Sequence, residues 1–213
     1  GNRVARRALA ALTVGAMLGL AMPSAAQAET FCVQKPKCVK AGGTAQPTIW
    51  DAIAAAAANG DGLDRIELGP RTYADGPWSA GAGNPVRIVG AGAEKTTLRR
   101  AAPGDFHAVL AIYDPRSSVE RVRVVMGQGS SVSGIAVYGR ATRVRVSGNS
   151  ADLSRKGVSL GPQAVLERSR ITVGGHDLTT GVEAVIHGAL VRDTVIEAPQ
   201  GFSGGSFSGS TTR

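Results

Sequence analysis

The sequence has few aromatic residues, few histidines and only two cysteines. Phe, Trp and Tyr make up 4% of the 213 residues. Small and β-branched side chains must therefore fill the interior, which suits a narrow stacked core better than a globular one. The three histidines are scattered and show no metal-ligand spacing. An apolar run over residues 8–22 has only 15 residues, too few to cross a bilayer comfortably.

The first 28 residues have the organisation of a secretory signal peptide. Three arginines lie within the first seven residues, the apolar run follows, and Ala26-Gln27-Ala28 is an A-x-A cleavage site. An uncleaved anchor helix is the alternative, and the shortness of the apolar run disfavours it. We therefore expect cleavage after Ala28 and a secreted or extracellular protein, including one held at the cell surface. Cleavage would lower the formal net charge from +8 to +5, because residues 1–28 contain three arginines and no acid.

The two cysteines, Cys32 and Cys38, lie just after the expected cleavage site, in an N-terminal segment over residues 29–46. In an exported chain, a disulfide that closes this short loop is the expected state. A metal site is the alternative, but it would need further ligands, and no histidine lies nearby.

Residues 109–199 contain four copies of one repeating unit. Matching positions are 22–25 residues apart, and self-similarity at such a period is typical of stacked repeat proteins. Each copy opens with a short apolar segment and continues with a second one. The opening segments cover residues 109–113, 134–138, 157–160 and 181–184, and the second segments cover residues 119–124, 141–146, 166–171 and 191–196.

Alternation of apolar and polar residues inside each unit predicts β-strands with one face inward and one face outward. Two or three strands per unit, with each unit lying on the last, describe an all-β fold, a single-stranded right-handed parallel β-helix. Leucine-rich repeats have a similar period, but their regular Leu and Asn positions are missing here. We predict that the β-helix, with its helical cap, covers residues 47–199. The Gly/Ser-rich residues 200–213 would then be a flexible tail or the start of a truncated coil in a longer protein.

Residues 47–59 predict an amphipathic α-helix that covers the first coil. Thr48 can cap its N-terminus, with Asp51 as an acidic capping-box partner, and Asn59-Gly60 provides a left-handed stop. A helix here would close one open end of the β-helix. The predicted apolar stripe consists of Ile49, Trp50, Ile53, Ala54 and Ala57.

This order of elements resembles right-handed parallel β-helix proteins of the pectate-lyase-like superfamily. The resemblance lies in a small-residue helix, then a strand, then the Gly/Pro-x-x-Tyr turn at residues 69–73, followed by the repeats. It covers about residue 45 to the C-terminus, and it is specific for the fold but weak for function. It implies, as one possibility, a lyase that removes a proton next to a uronate carboxylate, with Arg or Lys as the base and often Ca²⁺ holding the acid.

Six arginines are expected on the outer surface of the second segments, because Val122, Val124, Val144 and Val146 would point inward. They form two columns across three coils: Arg121, Arg123, Arg143, Arg145, Arg168 and Arg170. Opposed like charges destabilise a sheet, and we expect Glu120, Glu167 and Asp193 to offset part of the repulsion. Either the face is merely solvated, or it binds a polyanion, since guanidinium groups hold carboxylates, sulfates and phosphates bidentately.

A pair of similar loops gives a second candidate site. Asp152 and Asp177 are 25 residues apart, so neighbouring coils would bring their carboxylates together. Two such acids can bind Ca²⁺ or separate their pKa values for acid–base chemistry. On the lyase model, Lys156 or Arg155 would be the base and the two aspartates the Ca²⁺ ligands. An aspartate at a turn also has a purely structural use.

Three classes of function remain open from the sequence. The first is a monomeric secreted or cell-surface β-helix that binds an acidic polysaccharide or cell-wall polymer, rather than nucleic acid, or that has a structural surface role. The second is a polysaccharide lyase or glycoside hydrolase acting on a uronate-containing polymer, with Ca²⁺ as a possible cofactor. The third is a non-catalytic fragment of a larger surface protein.

Overall fold

The computed structural model describes residues 27–100, 108–127, 133–150, 156–175, 179–184, 188–204, 207–208 and 211–212. Short strands dominate these residues, with two helices near the N-terminus. In chain order the elements are β1 (Thr30–Val33), α1 (Pro36–Lys40), β2 (Thr44–Gln46), α2 (Ile49–Ala58), β3 (Asp64–Leu68), β4 (Thr72–Gly76), β5 (Trp78–Ala80), β6 (Val86–Val89), β7 (Thr97–Arg100), β8 (Ala108–Ile112), β9 (Ser118–Glu120), β10 (Arg123–Val125), β11 (Ser133–Val137), β12 (Arg140–Thr142), β13 (Arg145–Ser150), β14 (Lys156–Leu160), β15 (Val165–Glu167), β16 (Arg170–Gly175), β17 (Thr180–Ala184), β18 (Ala189–Arg192), β19 (Thr194–Glu197), β20 (Gln200–Gly204), β21 (Phe207–Ser208) and β22 (Thr211–Thr212).

Within the described residues, the strands form three parallel sheets, which we call A, B and C. Sheet A has nine strands in the order β2-β1-β3-β6-β9-β12-β15-β18-β21, sheet B has seven from β4 to β22, and sheet C has six from β5 to β20. From β5 onward, the chain contributes one strand to each sheet in turn and then rises to the next coil. The predicted right-handed parallel β-helix is therefore confirmed.

The core is a set of stacked columns of aliphatic side chains. In sheet C, Leu110, Ile135, Val158 and Val182 lie opposite one another on successive strands, and all four are fully buried. Because each coil repeats the same inward positions, branched side chains of similar volume stack on one another. The low aromatic content follows from this geometry, since a narrow interior has little room for large rings.

Helix α2 covers the N-terminal end of the coil, as predicted. Thr48 is its N-cap, with its hydroxyl oxygen accepting a hydrogen bond from the Asp51 backbone N–H at 3.1 Å. The apolar stripe was only partly right, because the buried residues are Ile49, Ala52, Ile53 and Ala56. Trp50 is 45% exposed. The spacing i, i+3, i+4, i+7 from Ile49 selects the observed face and leaves Trp50 on the other side.

The predicted disulfide joins Cys32 in β1 to Cys38 in the short helix α1, with 5.8 Å between their Cα atoms. It fastens α1 beside the first strands of sheet A. Gly43 is required here, because a Cβ at this position would collide with the Cys32 sulfur. Neither of the described helices is long and apolar enough to cross a membrane.

Each second segment of the repeat is two strands rather than one. Residues 118–120 belong to sheet A and residues 123–125 to sheet B, with Arg121 and Val122 forming a corner between them. Three strands therefore make up a coil, the larger of the two predicted numbers. The chain after residue 199 continues the same pattern, since β20 pairs with β17 in sheet C and opposes Phe202 to Val182.

Candidate functional site

The corner between sheets A and B is built from one left-handed residue on each coil. Arg121, Arg143 and Arg168 have φ angles of 55°, 53° and 50°, and Asp193 continues the series at 49°. Left-handed backbone is about 1–2 kcal/mol less favourable than right-handed backbone for residues that carry a Cβ. Gly and Asn adopt it most readily. Three consecutive coils nevertheless have Arg at this position, and we call these residues the corner arginines.

The left-handed residue interrupts the alternation of side chains at the corner. On the first of these coils, Val119 faces the core, Glu120 and Arg121 both face outward, and Val122 faces the core again. The backbone N–H of each corner arginine still donates to a carbonyl of the next coil, for example from Arg121 to Thr142 at 3.2 Å. The corner is therefore held within the hydrogen-bond ladder while its side chain is directed away from the core.

A second arginine column runs beside the first in sheet B. Arg123, Arg145 and Arg170 occupy matching positions on β10, β13 and β16, and all three are exposed. We call them the strand arginines. Adjacent strands lie about 4.8 Å apart, so three like charges stand directly opposite one another, an arrangement that destabilises a sheet when nothing neutralises it.

The two columns border a shared groove with a volume of about 470 Å³. Its floor comes from the corner, including Val144 and Ser169, and Asp193 is its one lining acid among the described residues. Gly92 and Ala93, from the loop after β6, form one end. The arginines that line it are Arg121, Arg143, Arg145, Arg168 and Arg170.

Most of these guanidinium groups have no acidic partner in the described part of the chain. Arg145 pairs with Glu94, and Arg170 pairs with Glu197 at 2.6 Å. The remaining four, the three corner arginines and Arg123, make no ion pair with any described residue. The Nε of Arg121 is buried and also lacks a hydrogen-bond acceptor among them. The groove thus offers several unused donors to an anionic ligand.

The acids expected to offset the arginine columns interact elsewhere. Glu120 pairs with Arg87 at 2.7 Å, and Glu167 pairs with Arg140 at 2.8 Å and also with Arg192. All three of these arginines belong to sheet A. That expectation was wrong for both glutamates, because their side chains point along the outer face of sheet A and away from the corner. Asp193 lines the groove but forms no ion pair with a described residue.

Glu167 is the best-satisfied acid of this region. Burial by itself raises the pKa of Glu167, but hydrogen bonds from Arg192, Arg140 and Thr142 outweigh that effect and lower the pKa overall. At the end of strand β19 in sheet B, the hydrogen bond from Thr172 and the nearby Arg170 guanidinium lower the pKa of Glu197. Both glutamates are therefore ionised at neutral pH, and their carboxylate oxygens already accept hydrogen bonds from these residues.

Buried hydroxyl groups brace the corner from inside. The Ser169 hydroxyl donates to the Glu167 carbonyl at 2.8 Å and accepts from the Val144 backbone N–H at 3.2 Å. On the next coil, the Thr194 hydroxyl donates to the Arg192 carbonyl at 2.9 Å and accepts from the Ser169 backbone N–H at 3.4 Å. These bonds tie adjacent coils together directly under the groove, so the spacing of the corner arginines is fixed.

Only part of the second predicted site lies within the described residues. Asp152, Asp177 and Arg155 lie outside the described residues, so their predicted roles as Ca²⁺ ligands and base stay predictions. Lys156 begins β14, and its ammonium group pairs with Glu183 at 2.6 Å. Among the residues that are described, no group of three or more His, Cys, Asp or Glu side chains is arranged to hold a metal ion.

Sequence reasoning missed the elements that complete the groove. Glu94, Gly92 and Ala93 come from a loop about one coil before the first corner arginine, and their closeness follows only from the stacking order. The position of Glu197 near Arg170 could have been predicted from the repeat, because Thr172 and Glu197 occupy matching positions two residues after Arg170 and Val195. The left-handed corner had a weaker signal, namely two polar residues in succession where alternation expects one.

No family model matches this chain, and no curated protein matches it in sequence. The described residues form a parallel β-solenoid, and the more specific likeness to pectate-lyase-like proteins stays a prediction.

Proposed function

We propose that this β-helix binds an acidic polysaccharide in the groove lined by the corner arginines and by two of the strand arginines, Arg145 and Arg170. The observation that carries the proposal is the occupation of the left-handed corner by Arg on three consecutive coils. A residue with a Cβ makes that position less stable, and strained backbone is typical of functional sites. Arg thus occupies a position at which Gly or Asn would make the fold more stable.

The geometry suits a linear polymer with regularly placed anionic groups. Two columns of guanidinium groups run across the coils, with neighbours about 4.8 Å apart within the strand column. Each guanidinium can hold one carboxylate or sulfate through two parallel hydrogen bonds. A bound polyanion would also relieve the repulsion between Arg123, Arg145 and Arg170, which the sheet holds in direct opposition.

Acidic polysaccharide fits the groove better than nucleic acid does. Sites for single-stranded nucleic acid combine basic residues with aromatic side chains on which bases stack. The described residues that line this groove include no aromatic side chain. The predicted export signal also favours a polymer found outside the cell. These arguments support an uronate-containing or sulfated glycan as the ligand.

The test compares two single substitutions that remove the same charge from different faces. Arg143→Gln removes an unpaired groove arginine, and Gln is tolerated at this φ, since Gln34 and Gln163 have φ angles of 50° and 59°. Arg87→Gln removes an exposed arginine of sheet A that pairs with Glu120. Binding of the chain from Glu29 onward to polygalacturonate is measured by affinity electrophoresis.

Arg143→Gln should weaken binding roughly 5- to 10-fold, the value of one hydrogen bond at an exposed site, whereas Arg87→Gln should change it less than about twofold. Binding should also weaken at high salt, since exposed charges are screened. Equal losses in the two variants would show that net charge alone is responsible and would contradict the proposal. Tighter binding to DNA of equal charge would contradict the choice of glycan.

The lyase or hydrolase alternative is tested on solutions of the same protein with polygalacturonate. Ultraviolet absorbance from an unsaturated sugar product, formed with Ca²⁺ and lost with chelator, would indicate β-elimination. No contact among the described residues favours that alternative, since Lys156 is engaged by Glu183.

A further inference from the structure

Asp64 is a buried carboxylate that has no cationic partner in the described part of the chain. It begins β3, faces inward and has no exposed surface. Its Oδ1 accepts hydrogen bonds from the Glu29 backbone N–H at 2.7 Å and from Asn59 Nδ2 at 2.9 Å. Its Oδ2 is buried and accepts no hydrogen bond from any described residue. None of the ion pairs among the described residues includes Asp64, although buried charges in proteins are normally paired.

The nitrogen beside this carboxylate belongs to the residue that follows the A-x-A motif. Signal peptide cleavage after Ala28 would make the Glu29 nitrogen the first atom of the mature chain. Hydrolysis by a signal peptidase breaks the Ala28–Glu29 peptide bond. The hydroxyl of water goes to the Ala28 carbonyl carbon and its proton to the Glu29 nitrogen. The new carboxylic acid then releases a proton, and the amine binds one to become an ammonium group.

We infer that Asp64 is a built-in binding site for the mature N-terminus, and that processing at Glu29 completes a buried ion pair. Before cleavage, the Glu29 nitrogen offers one hydrogen to Asp64. After cleavage, the same nitrogen offers three hydrogens and a positive charge, so it can satisfy both carboxylate oxygens without moving from its place beside Asp64. This inference rests on the predicted cleavage site and is independent of the proposed glycan binding.

Neighbouring contacts fix the Glu29 nitrogen at this point. The Arg65 backbone N–H donates to the Glu29 carbonyl at 2.7 Å, and β1 starts at the next residue. The cleavage motif therefore ends where the first sheet hydrogen bonds begin. Just upstream, Asn59 Nδ2 donates to the Gln27 carbonyl at 2.8 Å in an exposed position. Cleavage would remove that bond while leaving the bond from Asn59 to Asp64 in place.

The experiment compares two chains that differ only in their first residues. One is released from a fusion so that it starts at Glu29 with a free α-amino group, and the other starts at Gln27. Both carry one α-amino group and the same side-chain charges near Asp64. We expect the Glu29 chain to melt roughly 5 °C higher, as an added buried ion pair predicts for a domain of this size. Equal melting temperatures, or a more stable Gln27 chain, would overturn the inference.

Asp64→Asn in both chains is the specificity control. Asn keeps the shape and one acceptor but loses the charge, so the difference between the two chains should shrink to less than about 2 °C. A difference that persists in the Asn variants would show that the extra residues act through another contact, and would overturn the role of Asp64.

A second readout does not depend on the Asp64 variant folding. In the folded Glu29 chain, the α-amino group should be acylated by a succinimidyl ester at least 10-fold more slowly than in the unfolded chain, while the Gln27 α-amino group should react freely. Equal reactivity would place the amine in solvent and refute the ion pair. Mass spectrometry of the exported protein tests the processing step, and a mature chain that starts anywhere but Glu29 would refute it.

Discussion

The outer face of sheet A and the groove at the A–B corner both carry arginines, but they differ in whether acidic side chains neutralise those charges. On sheet A, Arg65 pairs with Glu67, Arg87 with Glu120, and Arg140 with Glu167. At the corner, four of the six corner and strand arginines have no acidic partner among the described residues. The two faces come from the same strands-and-corner repeat, so the fold itself does not require unpaired charge.

The contrast distinguishes the arginines that stabilise the fold from those that do not. A sheet with a paired acid for each arginine gains a small amount of stability from each contact. A column of unpaired arginines on left-handed backbone loses stability through repulsion and conformational strain. The sheet A arginines are thus part of the structure, and the groove arginines are available for an external anion.

The largest effect should come from reversing one charge in the groove. Arg145→Glu removes an attraction for the polyanion and adds a repulsion, so affinity for polygalacturonate should fall roughly 100-fold. The substitution breaks the ion pair between Arg145 and Glu94, but the new carboxylate would stand between Arg123 and Arg170 in the sheet register. Because these two effects oppose each other, the melting temperature should change little. Affinity electrophoresis and thermal unfolding of the same preparation measure both results.

Arg87→Glu is the matched reversal on sheet A and should give the opposite pattern. It breaks the pair with Glu120 and places two acids together, so the melting temperature should fall while glycan affinity changes little. If both reversals reduced affinity equally, the distinction between the two faces would be lost.

The next effect concerns the stability of sheet A. Glu167 is 7% exposed and accepts from Arg140, Arg192 and Thr142. Glu167→Gln should lower the free energy of unfolding by about 1–2 kcal/mol, because a buried charged acceptor is lost from three donors. Denaturant unfolding measures the change. Glu197→Gln, at the exposed end of strand β19, should give no resolvable loss, and an equal loss there would contradict the assignment.

A smaller effect, of the opposite sign, is expected at the corner. Arg143→Asn should raise the free energy of unfolding by about 0.5–1 kcal/mol, because Asn tolerates a φ of 53° better than Arg does. Arg123→Asn, on the extended strand beside it, should give no gain, since Asn is unfavourable in strands. A loss of stability in Arg143→Asn would show that the corner arginine serves the fold.

The smallest effect is a pH dependence of stability to which two acids of sheet A contribute. The pKa values of Glu67 and Glu167 are lowered from the ordinary value of 4.5. Their stabilising contribution is therefore fully present above pH 4.5 and is lost as the pH falls through the lower folded-state pKa. Unfolding measured from pH 6 down to pH 3 should show this decline, and Glu167→Gln should flatten it. An unchanged pH profile in that variant would contradict the pairing.

The repeat made most of the fold predictable. The 22–25-residue period, the inward Val and Ile positions and the capping Thr48 were readable because each is a local pattern repeated along the chain. Trp50 was misplaced because it is large and apolar, although the i, i+3, i+4, i+7 spacing from Ile49 excludes it from the buried face. Asp152, Asp177 and Arg155 lie beyond the described residues, and their roles stay untested.

By itself, the sequence determined that coils would stack and that arginines would recur at two positions on each of three coils, because periodicity in the chain becomes periodicity in space. Only the tertiary structure decided which arginines have no acidic partner among the described residues. Glu120 and Glu167 precede the corner arginines in the chain, yet they turn toward Arg87, Arg140 and Arg192. The pairing of Asp64 with the Glu29 nitrogen, 35 residues apart, was likewise invisible in the sequence. Charge pairing depends on distances of a few ångströms across coils, and the order of residues along one coil does not specify them.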